Sequence, residues 1–278
     1  MANLKGMFDT TLHKLEQGEV ILEPRPYLGM SQIGHECAAY LWYSFRWAYI
    51  DTTSKRMTRL WARGHREEIV VANYLREIGC ELWDLEDENE SQAEYVDCLG
   101  HFKGHSDGKI KGVIEAPKTD HLFECKTVKD SGFKELHKKK LEKYSSTYWT
   151  QIHLYMKYEK LTRCLHITVN KNDDSFYIER VKYDKGVAND AVRKANSIIL
   201  SPHPMPRAFP SKTFYKCKWC PANRQCWEGK PLEENCRTCN HSEIAPEGKW
   251  NCTKPTEPTP IPVAVQRVGC PYYNAMEN

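Results

Sequence analysis

The chain reads as an α/β protein with a cysteine-rich tail, and three observations predict this. Residues 27–50 and 57–79 carry apolar positions at helical spacing, with Leu60, Trp61, Ile69, Val70, Val71 and Leu75 in the second stretch. From residue 92 to 127 the pattern shortens to strands broken by Gly and Pro, expected at 95–99, 104–113 and 121–128. Beyond Ser201-Pro202-His203-Pro204-Met205-Pro206 the apolar periodicity fades and cysteines accumulate.

The remaining elements follow in order. Gly79 is the expected stop of the second helix. One long helix is expected over 133–158. Two strands follow at 164–170 and 175–183, joined by the turn-forming Lys171-Asn172-Asp173-Asp174, and a helix over 187–200 closes this part. The proline-rich boundary then divides the chain: residues 1–200 form the core with a helical N-terminal part, 201–230 a first cysteine segment and 231–278 a second. Neither segment has the apolar residues for an ordinary core, so metal ligation is the expected source of their stability. The stretch 254–263, with its four prolines, reads as a loop.

Composition bounds the function classes. With 40% hydrophobic and 28% charged residues over 278 positions, the chain is globular rather than disordered. No run of eighteen apolar residues occurs, so no membrane partner is expected. Residues 1–6 lack an apolar h-region and a small-residue cleavage site, which points to the cytoplasm. A net charge of +3 is too small to identify a nucleic-acid partner alone. His137-Lys138-Lys139-Lys140, continuing to Lys143, suits phosphates or a solvated helix face equally.

The twelve cysteines are of two kinds. Cys80, Cys98, Cys125 and Cys164 have no ligand spacing and read as small buried hydrophobes. The others cluster, and close Cys-x2-Cys pairs without a secretion signal point to metal before disulfide. Cys217-x2-Cys220-x5-Cys226 supplies three thiolates; a zinc site or a cubane cluster needs a fourth ligand. Cys236-x2-Cys239 with Cys252 and Cys270 has the look of a small zinc ribbon holding a structural Zn2+, with Trp250 and Gly269 at turns. His241 is a rival ligand, tightly spaced after Cys239.

The catalytic candidates lie on the central strands. Asp107 falls within Gly104-His105-Ser106-Asp107-Gly108, and seventeen residues on comes Glu124-Cys125-Lys126. Strand residues two apart face one side, so Glu124 and Lys126 point together, and a neighbouring strand can bring Asp107 beside them. Two carboxylates make a hard-oxygen site for Mg2+ or Mn2+. A lysine beside such an ion can orient or help deprotonate an attacking water, which is what phosphodiester hydrolysis needs.

This order of motifs resembles the PD-(D/E)XK nucleases, in their RecB-like branch, over roughly residues 27–230. Here Ser106 stands before the aspartate where the family pattern has proline. Arg63-Gly64-His65-Arg66-Glu67-Glu68 resembles the branch's Gly-His…Glu motif, and Gln151-Ile152-His153-Leu154-Tyr155 its Gln-x-x-x-Tyr motif. The resemblance implies a restriction-endonuclease-like core, a mixed central sheet flanked by helices. It implies Asp107, Glu124 and the Cys125 backbone carbonyl as metal ligands, with His65 as a further ligand assisted by Glu68. It makes Lys126 catalytic and has Gln151 and Tyr155 help position DNA. In RecB-like exonucleases of the CRISPR-associated and AddB-like kinds, a lone upstream cysteine completes a [4Fe–4S] cluster. The stretch Met30-Ser31-Gln32-Ile33-Gly34-His35-Glu36-Cys37 resembles that site, so Cys37 would join Cys217, Cys220 and Cys226. Zinc with a neighbouring ligand is the other reading of those three.

The implied activity is Mg2+- or Mn2+-dependent DNA hydrolysis from an end, expected of a phage or bacterial recombination, repair or replication enzyme. One alternative is a non-catalytic DNA- or protein-binding module whose carboxylates only hold the fold. Another is a redox protein using the cluster; no Gly-rich dinucleotide fingerprint supports it.

Overall fold

The computed structural model describes residues 4–85 and 92–278, with side chains from residue 10 onward. Residues 1–3, part of the stretch read above as lacking a secretory signal, lie outside the described residues. Among the described residues no helix is long and apolar enough to cross a membrane.

The N-terminal part runs α1 (Leu4–Glu16), β1 (Glu19–Ile21), β2 (Leu28–Gly29), α2 (Ala38–Phe45), β3 (Thr52–Ser54) and α3 (Lys55–Glu77). The expected helix over 27–50 is thus only the short α2, because residues up to Cys37 form an extended, turn-rich approach to it. The second expected helix is α3. The Ser54 hydroxyl caps it by accepting from the Met57 amide, and Gly79 follows its end at φ +92, a conformation glycine adopts without strain.

The centre runs β4 (Glu81–Trp83), β5 (Glu94–Asp97), β6 (Phe102–His105), β7 (Lys109–Lys111), β8 (His121–Val128), α4 (Asp130–Tyr144), α5 (Ser146–Glu159), β9 (Arg163–Asn170), β10 (Phe176–Lys182) and α6 (Lys185–Leu200). Two expectations are corrected here. The strand over 104–113 breaks into β6 and β7, with Asp107 between them. The long helix over 133–158 breaks at Ser145, which is extended at φ −147 and whose hydroxyl accepts from the Tyr148 amide, so it starts α5 instead of continuing α4.

The main sheet has strand order β10-β9-β8-β7-β4 and is mixed: β8 and β9 are parallel, the other pairs antiparallel. Parallel neighbours need a long crossover, which α4 and α5 supply. Phe123, Cys125, Leu165, Ile167 and Val169 point to one face and pack against Val71 and Ala72 of α3. Leu122 and Cys164 point to the other and join the larger core with Leu136, Leu141, Ile152 and Met156 of α4 and α5. Cys80, Cys98, Cys125 and Cys164 are all buried.

The cysteine-bearing end folds as α7 (Tyr215–Lys218), α8 (Asn223–Glu228), β11 (Ser242–Ile244), β12 (Trp250–Cys252), β13 (Thr259–Pro260) and α9 (Val263–Gln266), with the three strands in one antiparallel sheet. It is docked on the core by two buried arginines. The Arg237 guanidinium lies 3.7 Å from the centre of the Trp47 ring and donates to the carbonyls of Phe45 and Pro26 and to Gln266. Arg46 of the core donates to the carbonyls of Arg237 and Ser201 and lies over Trp250. Burial lowers Arg237 to about 9, helped by the charges of Arg46 and Arg267, and lowers Arg46 to about 10. Both stay charged near neutral pH, held by carbonyl oxygens and aromatic faces, although Arg46 Nε is buried without a partner. Truncating Arg237 strands those carbonyls and opens a hole, so Arg237→Ala is expected to cost about 3 kcal/mol in urea unfolding. An unfolding midpoint equal to the parent's would show that the guanidinium does not hold the two parts together.

Candidate active site and cysteine centres

The candidate site sits where β7 ends against β8. The two strands pair only at Lys109 with Leu122 and Ile110 with His121. Past that point the edge of β8 is open, and the turn after β6 folds over it. The Phe123 amide donates to the Gly108 carbonyl at 2.9 Å, and the Cys125 amide to Asp107 Oδ2 at 2.9 Å. Gly108 makes this possible: it takes φ +138, and a Cβ there would meet Leu85 and the Trp83 carbonyl at 3.1 Å. The amide and carbonyl of one strand residue point the same way, so the Cys125 carbonyl shares this edge with Asp107.

Glu124 and Lys126 project together from β8. Lys126 Nζ lies 2.5 Å from Glu124 Oε1 and 3.1 Å from Asp107 Oδ2, and donates to the Cys125 carbonyl at 2.9 Å. From α5, Gln151 Nε2 donates to Glu124 Oε1 at 2.7 Å. Glu124 is fully buried, and its other oxygen, Oε2, has no hydrogen-bond partner. Burial, and then the charge of Asp107, raise the Glu124 carboxyl well above the usual range against the opposing Lys126. For Lys126 burial works downward, but Asp107 and Glu124 outweigh it and hold the ammonium well above its ordinary value.

The other named residues fall around this centre. His65 and Glu68, on α3, line one groove with Asp107, Leu85 and Gln92. His65 Nδ1 is 3.8 Å from Glu68 Oε2, and the imidazole is largely exposed. Gln151 and Tyr155 share a face of α5 as their spacing requires, but both are buried. The Gln151 amide is spent on Glu124. Tyr155 packs on Tyr95 and against Gly104, where a Cβ would meet its hydroxyl at 3.0 Å. As placed, both support the carboxylates from behind.

Sequence reasoning missed a supporting network. The Tyr95 hydroxyl bonds Ser106 Oγ and Glu159 Oε1, each at 2.7 Å, and Lys109 bridges Glu159 and Asp84 at 2.8 and 2.6 Å. It ties the turn carrying Asp107 to the end of α5. One signal was available: Glu159 continues the four-residue spacing of Gln151 and Tyr155. His166, paired in register with Glu124, was also missed. It is buried, with Nε2 at 2.9 Å from the Thr168 hydroxyl and Nδ1 unpartnered.

The cysteines converge in two places. Cys37, Cys217, Cys220 and Cys226 line one cavity with Tyr40 and Tyr43 of α2. Cys236, Cys239, Cys252 and Cys270 line another, with His241 and Tyr272. Burial first, and then the charges of Cys37, Cys226 and Cys217, push Cys220 up to about 11, against the Ala222 amide, which lowers it. Among the described residues no three His, Cys, Asp or Glu side chains form a ready-made set for a single metal ion as they stand. At the carboxylates a cation would find two side-chain oxygen donors, Asp107 and Glu124, and the backbone oxygen of Cys125. The orphaned, fully buried Glu124 Oε2 fits a cation, because such an oxygen otherwise carries an uncompensated desolvation cost. The first quartet fits a cluster better than one ion, since a cubane spreads its thiolates over separate irons. The second would have to close on a zinc ion.

No protein-family model matches the chain, and no curated protein does. Among solved structures it is similar to SSO0001, with 15% identity over 79% of this chain and 91% of that one and a TM-score of 0.43. It is similar to LHK-Exo in complex with dAMP, with 14% identity over 62% and 86% of the two chains and a TM-score of 0.43. The alkaline exonuclease LHK-Exo from Laribacter hongkongensis gives 14% identity over 63% and 87%, with a TM-score of 0.42. These likenesses are too distant to carry a function, which rests on the side chains described above.

Proposed function

We propose that the chain is a metal-dependent deoxyribonuclease of the RecB-like PD-(D/E)XK kind, acting from DNA ends. The observation that carries the reading is the Asp107–Glu124–Lys126 cluster at the open edge of β8, with Glu124 fully buried and its Oε2 unpartnered. Carboxylates that only held the fold would be expected to use both oxygens. Asp107, Glu124 and the Cys125 carbonyl would hold Mg2+ or Mn2+, with His65 and Glu68 completing the site from α3. A hard divalent ion there supplies neutralisation of the charge building on the phosphate and a more acidic attacking water.

The chain's own residues do the positioning. The Cys125 amide fixes Asp107, and Gln151 fixes Glu124 through Oε1, which leaves Oε2 as the free donor. Lys126, beside both carboxylates, would orient the attacking water or help deprotonate it. Lys126→Ala and Asp107→Asn are therefore each expected to lower cleavage of end-labelled DNA in Mn2+ by about a thousandfold or more. Binding to DNA should be largely kept. Cleavage by Lys126→Ala at the parent rate would overturn the assignment, and activity that survives a chelator would remove the metal from it.

Within this reading the cysteines are structural. Cys37, Cys217, Cys220 and Cys226 would hold a [4Fe–4S] cluster that pins the start of α2 to the segment carrying α7 and α8. Cys236, Cys239, Cys252 and Cys270 would hold Zn2+. Anaerobically purified protein should then be brown, absorb near ~400 nm and contain iron and zinc. Cys37→Ser should lose iron as fully as Cys220→Ser, despite their separation in the chain, and Cys252→Ser should lose zinc alone. Colourless, iron-free parent protein would refute the cluster and leave the nuclease reading standing.

A further inference from the structure

We infer that the surface around α7 is a platform for single-stranded DNA, a proposal that rests on the nuclease reading for the identity of its ligand. The first observation is charge. Residues 201–230 hold six basic side chains, Arg207, Lys212, Lys216, Lys218, Arg224 and Lys230, and one acid, Glu228. This segment therefore stands at +5 while the whole chain stands at +3, a basic character it shares with residues 55–66 of α3.

The second observation is exposed aromatic surface among those charges. Trp219 is 81% exposed and Tyr215 65%. Large aromatic faces left in water are unfavourable for a fold and are expected where a partner covers them. Cations already sit over several of these rings: Lys218 over Trp219 at 5.6 Å, Lys216 over Tyr215 at 5.8 Å and over Phe209 at 5.5 Å. Lys216 also pairs with Glu36, and Lys212 with Glu228, at 2.6 and 3.1 Å, but such exposed pairs are weak and readily exchange for phosphate. Flat rings next to cations match a strand whose bases are unstacked and whose backbone is anionic. A duplex keeps its base faces covered and offers nothing to Trp219 beyond its ends.

The third observation is continuity with the candidate active site. The cysteine cavity joins this surface to Cys37, and Glu36 binds Lys216. The stretch before Cys37 leans on both elements that build the site. Gly34 lies so close to the start of α5 that a Cβ would be 2.4 Å from the Ser146 carbonyl, and Met30 touches Gly104 of β6. Tyr148, in the first turn of α5, faces Lys126 across 6.0 Å. The stretch of chain that borders this surface thus also packs on the start of α5, two residues before the Tyr148 that faces Lys126.

The test is fluorescence anisotropy of labelled oligothymidylate with the full chain in chelator, which reads binding without cleavage. The parent should bind with an affinity that falls steeply with salt. Trp219→Ala with Tyr215→Ala should weaken binding about tenfold or more, while a blunt duplex of equal length loses little. A circular-dichroism spectrum and a urea midpoint equal to the parent's show that the variant is still folded. Equal oligothymidylate binding by parent and double variant would overturn the platform. Binding to phosphatidylserine vesicles but not to oligothymidylate would also overturn it, in favour of a membrane surface. Cleavage of end-labelled DNA by the parent in Mn2+, run beside these, separates the two readings. A parent that never cleaves DNA but shows the Trp219 dependence sinks the nuclease and keeps the platform. A parent that cleaves and shows no such dependence does the reverse.

Discussion

One ammonium group shared by two carboxylates at the open edge of a strand organises this molecule. Lys126 Nζ bridges Glu124 and Asp107 in surroundings that expose none of Glu124. Burying two acids is costly unless positive charge is close and every spare lone pair is met. The fold meets most of that cost. It supplies the Cys125 amide for Asp107 and the Gln151 amide for Glu124, and it leaves one oxygen open. The geometry behind this arrangement extends outward. Gly108 must be a glycine for the turn to reach β8, and Tyr155 needs the missing side chain of Gly104 to pack behind the carboxylates. Tyr95 ties Ser106 to Glu159, so the turn carrying Asp107 is hydrogen-bonded to the helix carrying Gln151.

The rest of the chain is arranged around that site by contacts far apart in sequence. The end of the chain is not hung on a loop. It is seated by Arg237 among Trp47, Phe45 and Trp250, and by Arg46 reaching back to it. Gly100 lies against Gly248 so closely that a Cβ would be 2.4 Å from its amide, and His101 bonds the Ala245 carbonyl at 2.9 Å. Cys37 joins residues 217–226 around a second cavity. The cysteine segments therefore brace the same N-terminal elements that lean on α5 and β6.

What could be read in the sequence was local in origin. The two-residue period of a strand put Glu124 and Lys126 on one side, and the four-residue period of a helix put Gln151 and Tyr155 on one face. Gly79 was legible as a helix stop. The convergence of Cys37 on Cys217, Cys220 and Cys226 was legible only through resemblance, because nothing in spacing reaches across that distance. The break at Ser145 was written in a capping residue but hidden by apolar periodicity running through it. The Arg46–Arg237 seat had no local signal, since buried arginines without acidic partners look like surface charge in a sequence. Tyr95 and Ser106 meet through strand pairing of β5 with β6, which periodicity alone does not register. That Gln151 and Tyr155 would be buried behind the carboxylates was likewise invisible, because spacing gives a shared face but not what covers it.

The central claim is that Asp107 and Glu124 are built to hold one divalent cation between them. Titration of Mn2+ into the full chain, with free ion read by electron paramagnetic resonance, tests this without DNA or turnover. The account predicts one tight site that Mg2+ displaces, weakened about a hundredfold or more by Asp107→Asn. Mn2+ binding that is unchanged in that variant, or no binding by the parent, would contradict it.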